Sequence, residues 1–231
     1  MTEQDTAQKI LSAGGLLIRD IAGGEEPFSY TSGNRGPGYC NIKNLVGQQF
    51  ILREIVSYLL SKITSSFDAI AANDSGGTIF GWELCSQREH SDDKLYGFVR
   101  VNLSQKKHGL LEQIIGAVDN PLIKEGTRFL LVDDVVNFAT TMVESAELLR
   151  SRKYVVANAC AVVDYENPVG HQRLRDAGIT LTSAITLRSL LSVAEEKKKF
   201  PKDLIDDYRA FLDDPKFWQL SQGIIPPIKP D

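Results

Sequence analysis

The chain has 231 residues, of which 42% are hydrophobic, enough for a single core of generous size. A net charge of -4 and a pI near 5.5 argue against a nucleic-acid-binding protein, which usually carries a basic face or stripe. The three cysteines are widely spaced, which favours a reduced, cytoplasmic compartment. The N-terminus shows no basic and apolar leader, and no apolar run approaches roughly 18 residues, so we expect a cytoplasmic protein without a membrane partner.

The first 45 residues predict a short helix and a hood. A helix over about residues 3–13 is ended by Gly14 and Gly15. From Phe28 to Lys43, aromatic and apolar residues flank a Gly/Pro turn, which is typical of a hairpin. The side chains expected on its strands are Phe28, Tyr30, Tyr39 and Ile42.

Residues 46–63 predict a helix with one buried stripe. The expected stripe comprises Phe50, Ile51, Ile55, Val56, Leu59, Leu60 and Ile63. A small-residue strand over 67–72 follows, and the loop 73–78 leads from its end into another helix. Gly76 and Gly77 in this loop would let the backbone approach a ligand closely, although a plain strand-to-helix turn is the commoner explanation of such a pair.

A strand over residues 94–100 ends at Arg100 and leads into a polar loop over 101–112. Lys106 and His108 give this loop positive character in an otherwise acidic protein. A solvated surface would also explain the lysines of the loop.

The stretch 128–141 organises the rest of the chain. From residue 129 the chain is continuously apolar until the adjacent Asp133 and Asp134. This pattern is typical of a parallel-sheet strand that is covered on both faces and ends at its acids. Ligands bind at the carboxyl ends of such strands, and the pattern of residues 141–144 predicts a helix start with a capping box. Because the free N–H groups of a helix start attract anions, the stretch predicts a sugar-phosphate site.

The remaining residues predict alternating strands and helices. The core is completed by a strand over 155–163 that ends at Asp164, a helix over 171–177, a strand over 179–185 and a helix over 187–199. Beyond residue 200, an amphipathic helix is predicted, with Phe217 and Trp218 as its anchors.

These elements predict an α/β fold with a mostly parallel sheet flanked by helices. We expect one domain, made of an N-terminal helix and hood (1–45), an α/β core (46–199) and a C-terminal helical extension (200–231).

The strand with its Val-Asp-Asp-Val-Val sequence, small-residue loop and Thr-Thr resembles the phosphoribosyl pyrophosphate signature of type I phosphoribosyltransferases. Within that family the chain is most similar to the orotate enzymes. Residues 28–39 resemble their base-covering segment, residues 73–78 their pyrophosphate loop, and Arg100, Lys106 and His108 their catalytic loop. The resemblance implies the type I phosphoribosyltransferase fold.

The resemblance also implies Mg²⁺-assisted transfer of ribose 5-phosphate from phosphoribosyl pyrophosphate to orotate, in a homodimer whose loop serves the neighbouring site. The magnesium ion would be held mainly by the substrate, near the acid pair. The implied catalytic residues are Lys106, His108, Arg100 and Asp134. The implied substrate-binding residues are Asp133, Asp134, Asn137, Ala139, Thr140, Thr141, Gly76, Gly77, Tyr39, Thr31 and Tyr165.

Several positions depart from the family pattern, among them the following four. Thr31 replaces a lysine, Gly36 a serine, and Tyr165 the arginine that grips the substrate carboxylate. Ala139 replaces a glycine, and if that position is left-handed the alanine costs about 1 kcal/mol or more.

These departures leave two alternatives open besides an orotate enzyme. One is a transferase for another base, and the other is a non-catalytic regulator that binds phosphoribosyl pyrophosphate. A receiver domain also carries an acidic pair after an apolar strand, but early in its chain, whereas here the pair lies past the middle.

Overall fold

The computed structural model describes residues 1–30, 33–103 and 113–225. The predicted site residues Thr31, Lys106 and His108 therefore lie outside the described residues. Within the described ranges, no helix is both long and apolar enough to cross a membrane.

A short helix and two small sheets form the N-terminal part. Helix α1 (Glu3–Ser12) begins with a capping box in which Thr2 and Asp5 accept hydrogen bonds from each other's backbone N–H groups. Four short strands follow, which are β1 (Leu16–Ile18), β2 (Phe28–Ser29), β3 (Arg35–Gly36) and β4 (Gly38–Cys40). Strand β1 pairs antiparallel with β4, and β2 with β3; we call these four strands the hood. Ile42, which was predicted to lie on a strand, is instead in a 3-10 helix over Ile42–Gly47.

Helix α2 (Gln49–Lys62) buries one stripe, as predicted. Its buried side chains are Leu52, Ile55, Val56 and Leu59. The prediction was wrong for Phe50, which is 73% exposed. At about 100° per residue, Phe50 lies roughly 200° around the helix from Leu52 and so faces solvent.

Six strands form the central sheet in the described part of the chain. In chain order they are β5 (Ala69–Asn73), β6 (Gly97–Val101), β7 (Ile114–Ile115), β8 (Arg128–Val136), β9 (Val155–Asp164) and β10 (Thr180–Thr186). The spatial order is β10-β9-β8-β5-β6-β7, and every neighbouring pair is parallel except β6 with β7. This confirms the mostly parallel sheet. The prediction that this strand ends at the acids is wrong, because β8 continues to Val136.

Helices cover both faces of this sheet. The later helices are α3 (Gly76–Asp92), α4 (Thr140–Ser151), α5 (Pro168–Asp176), α6 (Leu187–Glu196), α7 (Lys202–Asp213) and α8 (Pro215–Ser221). Leu130 and Val132 of β8 join the core formed with α2, α3 and α6, whereas Phe129 and Leu131 join the core formed with α4 and α5. Because both faces are buried there, β8 is apolar at every position from Phe129 to Val132.

The last two helices pack against the hood. Tyr208 and Phe211 of α7 are buried, as is Trp218 of α8, whose indole N–H donates a 2.7 Å hydrogen bond to Asp207. Phe217 is 70% exposed, so its predicted role as a second anchor is wrong.

Candidate active site

Two carboxylates lie near the carboxyl end of β8, in the middle of the sheet. Asp133 accepts a 2.8 Å hydrogen bond from the side-chain amide of Asn73 and a 2.9 Å bond from the backbone N–H of Asp134. Asn73 is the last residue of the neighbouring strand β5. The ends of two adjacent parallel strands therefore meet at the acid pair.

The environment of the pair disfavours two full negative charges. Burial of its carboxyl group and the charge of the adjacent Asp134 raise the pKa of Asp133 well above its usual range. Hydroxyl groups that donate to the carboxylates, or a nearby cation, would offset this cost. A ribose carries such hydroxyls.

Helix α3 begins directly beside the acids. A Cβ atom at Gly76 would overlap the Asp134 carboxylate, and one at Gly77 would overlap the backbone carbonyl of Val132. Glycine is therefore needed at both positions for the helix start to approach β8 this closely. The peptide bond before Ser75 is cis. The close approach of the two glycines places the first backbone N–H groups of α3, which have no partner within the helix, next to the acids.

Arg100 borders the same loop from the end of β6. Its Nη2 atom donates a 2.8 Å hydrogen bond to Asp74 Oδ2, and Asn102 Nδ2 lies 3.1 Å from the same oxygen. The Arg100 side chain is 40% exposed. The guanidinium is therefore held at the strand edge while part of it faces solvent.

The loop after β8 contains a left-handed alanine. Ala139 has φ 58° and ψ 10° and is the N-cap residue of α4. An L-residue in this region costs about 1 kcal/mol or more relative to glycine, so surrounding contacts must hold it there. Among the described residues no side chain caps α4, and the predicted capping box is wrong because Thr141 already lies within the first turn.

Helix α5 supplies such contacts to the loop. The amide of Asn167 donates a 2.9 Å hydrogen bond to the side chain of Asn137. A Cβ atom at Gly170 would overlap the Asn137 backbone carbonyl, so the helix and the loop are in close contact. Arg173 Nη1 donates a 3.2 Å bond to the Phe138 carbonyl oxygen. Sequence reasoning missed Arg173, because a basic residue on an amphipathic helix is usually a solvated one.

The end of β9 adds a buried carboxylate that was not predicted as a site residue. Asp164 is 6% exposed, and its two oxygens lie 2.9 and 3.1 Å from His171 Nε2. It also accepts a 2.8 Å hydrogen bond from the backbone N–H of Glu166. Asp164 therefore ties the start of α5 to the sheet edge.

Tyr165 lies beneath the hood. It is 8% exposed, and its hydroxyl accepts a 3.4 Å hydrogen bond from the backbone N–H of Cys40 in β4. Burial raises the pKa of Tyr165 well above its usual range and that of Cys40 to about 12, so both stay neutral. Tyr165 stays a predicted substrate-binding residue, and in the structure its hydroxyl joins the hood to the end of β9.

The hood also carries Tyr39, which is half-buried with its ring 5.7 Å from that of Phe28. A Cβ atom at Gly36 would overlap the Tyr30 hydroxyl and crowd the Phe211 ring. The replacement of the family's serine by Gly36 thus has a packing reason, because Tyr30 and the Phe211 ring of α7 occupy the space of a side chain.

The structure brings most of the predicted residues to one edge of the sheet. That group comprises Gly76, Gly77, Arg100, Asp133, Asp134, Asn137, Ala139, Thr140 and Thr141. Asn73, Asp164, His171 and Arg173 are additional residues at this edge. Asn73 could have been found as the polar residue that directly follows an apolar strand.

Similar proteins are known. The profile of the phosphoribosyl transferase domain matches residues 41–185. The orotate phosphoribosyltransferase of Methanospirillum hungatei is 34% identical over 165 residues, which are 71% of this chain and 88% of that protein.

Two solved structures are also similar. The orotate phosphoribosyltransferase of Aeropyrum pernix has a TM-score of 0.66 and 26% identity, over 84% of this chain and 99% of that chain. The UMP synthase of Leishmania donovani has a TM-score of 0.73 and 20% identity, over 92% of this chain and 42% of that chain. This chain spans less than half of the UMP synthase, whose similarity shows the fold alone.

Proposed function

This chain belongs to the phosphoribosyltransferase family, and we propose that it is an orotate phosphoribosyltransferase of pyrimidine nucleotide synthesis. The observation that carries the proposal is the close approach of Gly76 to Asp134, because it places a helix start beside two acids at the strand edge. Orotate is the favoured base because the relatives from Methanospirillum hungatei and Aeropyrum pernix are named for it.

The reaction exchanges one bond at the ribose. A ring nitrogen of orotate bonds to C1 of phosphoribosyl pyrophosphate, and the bond from C1 to the pyrophosphate oxygen breaks. The bonding electrons leave on pyrophosphate, and orotate loses the proton of its ring nitrogen. Because the transition state resembles an oxocarbenium ion, the protein must position the sugar and stabilise the departing charge.

The described residues support a division of these tasks. Asp133 and Asp134 accept hydrogen bonds from the ribose hydroxyls, and the N–H groups of residues 137–141 bind the 5-phosphate. The start of α3 at Gly76 and Gly77 accepts pyrophosphate. Arg100, held by Asp74, adds positive charge on the side of the leaving group.

Lys106 and His108 complete the proposed site. They lie outside the described residues, and their roles rest on the resemblance of their loop to the catalytic loop of the orotate enzymes. Closing over the bound substrates, this loop would add positive charge as it develops on the departing oxygens and would exclude water.

The strand edge fits a magnesium ion that arrives with the substrate. When bound, Mg²⁺ neutralises charge on the leaving pyrophosphate. The nearby donors are oxygens, as Mg²⁺ prefers: the carboxylates of Asp133 and Asp134, and Asn73 Oδ1, which is buried and accepts no hydrogen bond in the described structure. No group of three or more His, Cys, Asp or Glu side chains among the described residues could hold the ion alone.

We also propose that the protein is a cytoplasmic homodimer. The dimer rests on the family resemblance, and the location is supported by Cys40, Cys85 and Cys160, which are all free and buried. Light scattering at micromolar concentration should give twice the chain mass of 25.6 kDa, and a monomeric mass would contradict the dimer.

The function is tested by following the loss of orotate absorbance with phosphoribosyl pyrophosphate and Mg²⁺. We expect turnover, with kcat/KM reduced about a hundredfold or more in Asp134→Asn and Lys106→Ala. The matched controls Asp203→Asn and Lys216→Ala change exposed residues of α7 and α8 and should leave kcat/KM unchanged.

Three outcomes would contradict the proposal in different ways. Turnover that survives in Asp134→Asn and Lys106→Ala would refute the site. Consumption of another base instead of orotate would change the specificity. Binding of phosphoribosyl pyrophosphate without consumption of any base would favour a regulator.

A further inference from the structure

Arg173 makes two hydrogen bonds to the loop that follows β8. Its Nη1 atom donates to the Phe138 carbonyl oxygen at 3.2 Å and to the Thr140 hydroxyl oxygen at 3.0 Å. The next residue along α5, Leu174, is 3% exposed and joins the core, which fixes the helix that carries Arg173. The guanidinium therefore approaches the loop from a rigid support.

The first bond sets the direction of a peptide group. In a planar trans peptide the carbonyl and the following N–H point to opposite sides. Since the Phe138 carbonyl is held toward Arg173, the N–H of Ala139 points to the other side of the loop. The second bond has a similar effect, because the Thr140 oxygen accepts from Arg173 and its own proton is left to donate elsewhere.

Arg173 thus orients two hydrogen-bond donors, the Ala139 N–H and the Thr140 hydroxyl, away from α5. The need for such support follows from Ala139, whose left-handed backbone an alanine adopts only when its surroundings hold it. Loss of the Arg173 contacts would let the Phe138–Ala139 peptide rotate toward a more relaxed conformation.

We infer that Arg173 is a positioning residue for the 5-phosphate of the sugar substrate. It does not need to touch the ligand, since it acts by holding the Ala139 N–H and the Thr140 hydroxyl in their binding directions. The nearby positive charge also favours a bound phosphate. This inference rests on the proposed function, because it assumes that the loop binds the sugar phosphate.

The test compares two ligands that would occupy different parts of the site. Calorimetry measures the Kd of ribose 5-phosphate and the Kd of inorganic pyrophosphate with Mg²⁺ for the wild type and for Arg173→Gln. We expect about a tenfold weaker Kd for ribose 5-phosphate and less than a twofold change for pyrophosphate. Arg175→Gln is the matched control, because Arg175 lies on the same helix, is exposed, and its guanidinium bonds only Gln172 within the described part of the chain.

Two further variants separate positioning from general damage. Arg173→Lys keeps the positive charge and one donor nitrogen and should recover part of the affinity. Ala139→Gly in the Arg173→Gln protein should also recover part of it, since glycine adopts the left-handed backbone without support. Unchanged pyrophosphate binding shows that the variants are folded.

The outcomes distinguish this inference from the proposed function. Equal losses for both ligands, or an equal loss in Arg175→Gln, would overturn the role of Arg173 alone. A wild type that binds ribose 5-phosphate but consumes no orotate would overturn the orotate assignment. The role of Arg173 would then be decided by the ratio of the Kd values for ribose 5-phosphate in Arg173→Gln and the wild type. A wild type that binds neither ligand would overturn both.

Discussion

The Tyr208 ring of α7 lies against the backbone of Gly38 in β4, in the space that a Cβ atom would occupy. Tyr208 is fully buried, so it cannot move aside into solvent. The C-terminal helices are therefore part of the support for the hood, which carries the predicted base-covering segment.

This contact predicts that Gly38→Ala destabilises the protein. The added methyl group overpacks a closed core, and we expect a loss of about 1–3 kcal/mol in the free energy of unfolding, measured by urea denaturation. Gly47→Ala is the matched control, because a Cβ atom at Gly47 would meet no atom within 4 Å. Its effect should stay within about 0.5 kcal/mol, and an equal loss in both variants would contradict the packing explanation.

Ala139→Gly should stabilise the protein. Glycine relieves the cost of the left-handed backbone, and we expect a gain of about 0.5–1 kcal/mol in the free energy of unfolding. Ala177→Gly is the opposite case and should destabilise the protein. Ala177 has φ -80°, so glycine relieves no strain there and only increases the conformational entropy of the unfolded chain. If both substitutions shift the urea midpoint in the same direction, backbone strain at Ala139 is not the cause.

Asp133→Asn should stabilise the protein in a pH-dependent way. The folded-state pKa of Asp133 is raised, so the native protein binds more protons than the unfolded chain above about pH 4, and stability falls as pH rises through that range. Asparagine removes this fall, so the advantage of the variant should be absent in acid and grow toward pH 7, where it exceeds about 0.5 kcal/mol. Asn73 can rotate its amide to present its unpaired Oδ1 to the new side chain.

Urea denaturation at several pH values checks this expectation. Asp93→Asn, which makes the same substitution at an exposed position, is the matched control. An advantage for Asp133→Asn that is constant with pH, or that grows in acid, would be incompatible with a raised pKa. The same variant should lose turnover, since Asp133 is proposed to hold the ribose.

Arg100→Gln should lower kcat/KM about tenfold or more. The substitution removes a cation beside the proposed pyrophosphate position and leaves the Asp74 carboxylate uncompensated, where it repels the ligand. Asp74→Asn in the Arg100→Gln protein should therefore recover part of the loss in initial-rate measurements. Arg53→Gln, which removes an ion pair between a largely exposed arginine and Glu83, should leave kcat/KM unchanged; if it does not, the Arg100 result reflects general instability.

Much of the fold could be predicted because local patterns of residue types indicate the strands and helices. The apolar run of β8 indicated a strand buried on both faces, and Asp133 and Asp134 marked its carboxyl end. The possible strain at Ala139 followed from the alanine that replaces a glycine, and the φ of 58° confirms it. Errors occurred where a residue's surroundings decide, as with Phe50 and Phe217, whose apolar side chains face solvent.

The sequence by itself determined the order of strands and helices, the placement of the acids at a strand end and the glycines that let α3 approach them, because each depends on neighbouring residues. Only the tertiary structure decided that Arg173 holds the loop after β8, that Tyr165 supports the hood, and that Gly36 and Gly38 make room for α7. These contacts join residues that are 33 or more positions apart, for example Arg173 and Thr140, or Cys40 and Tyr165. Their geometry follows from how the elements pack, which no local pattern of residue types encodes.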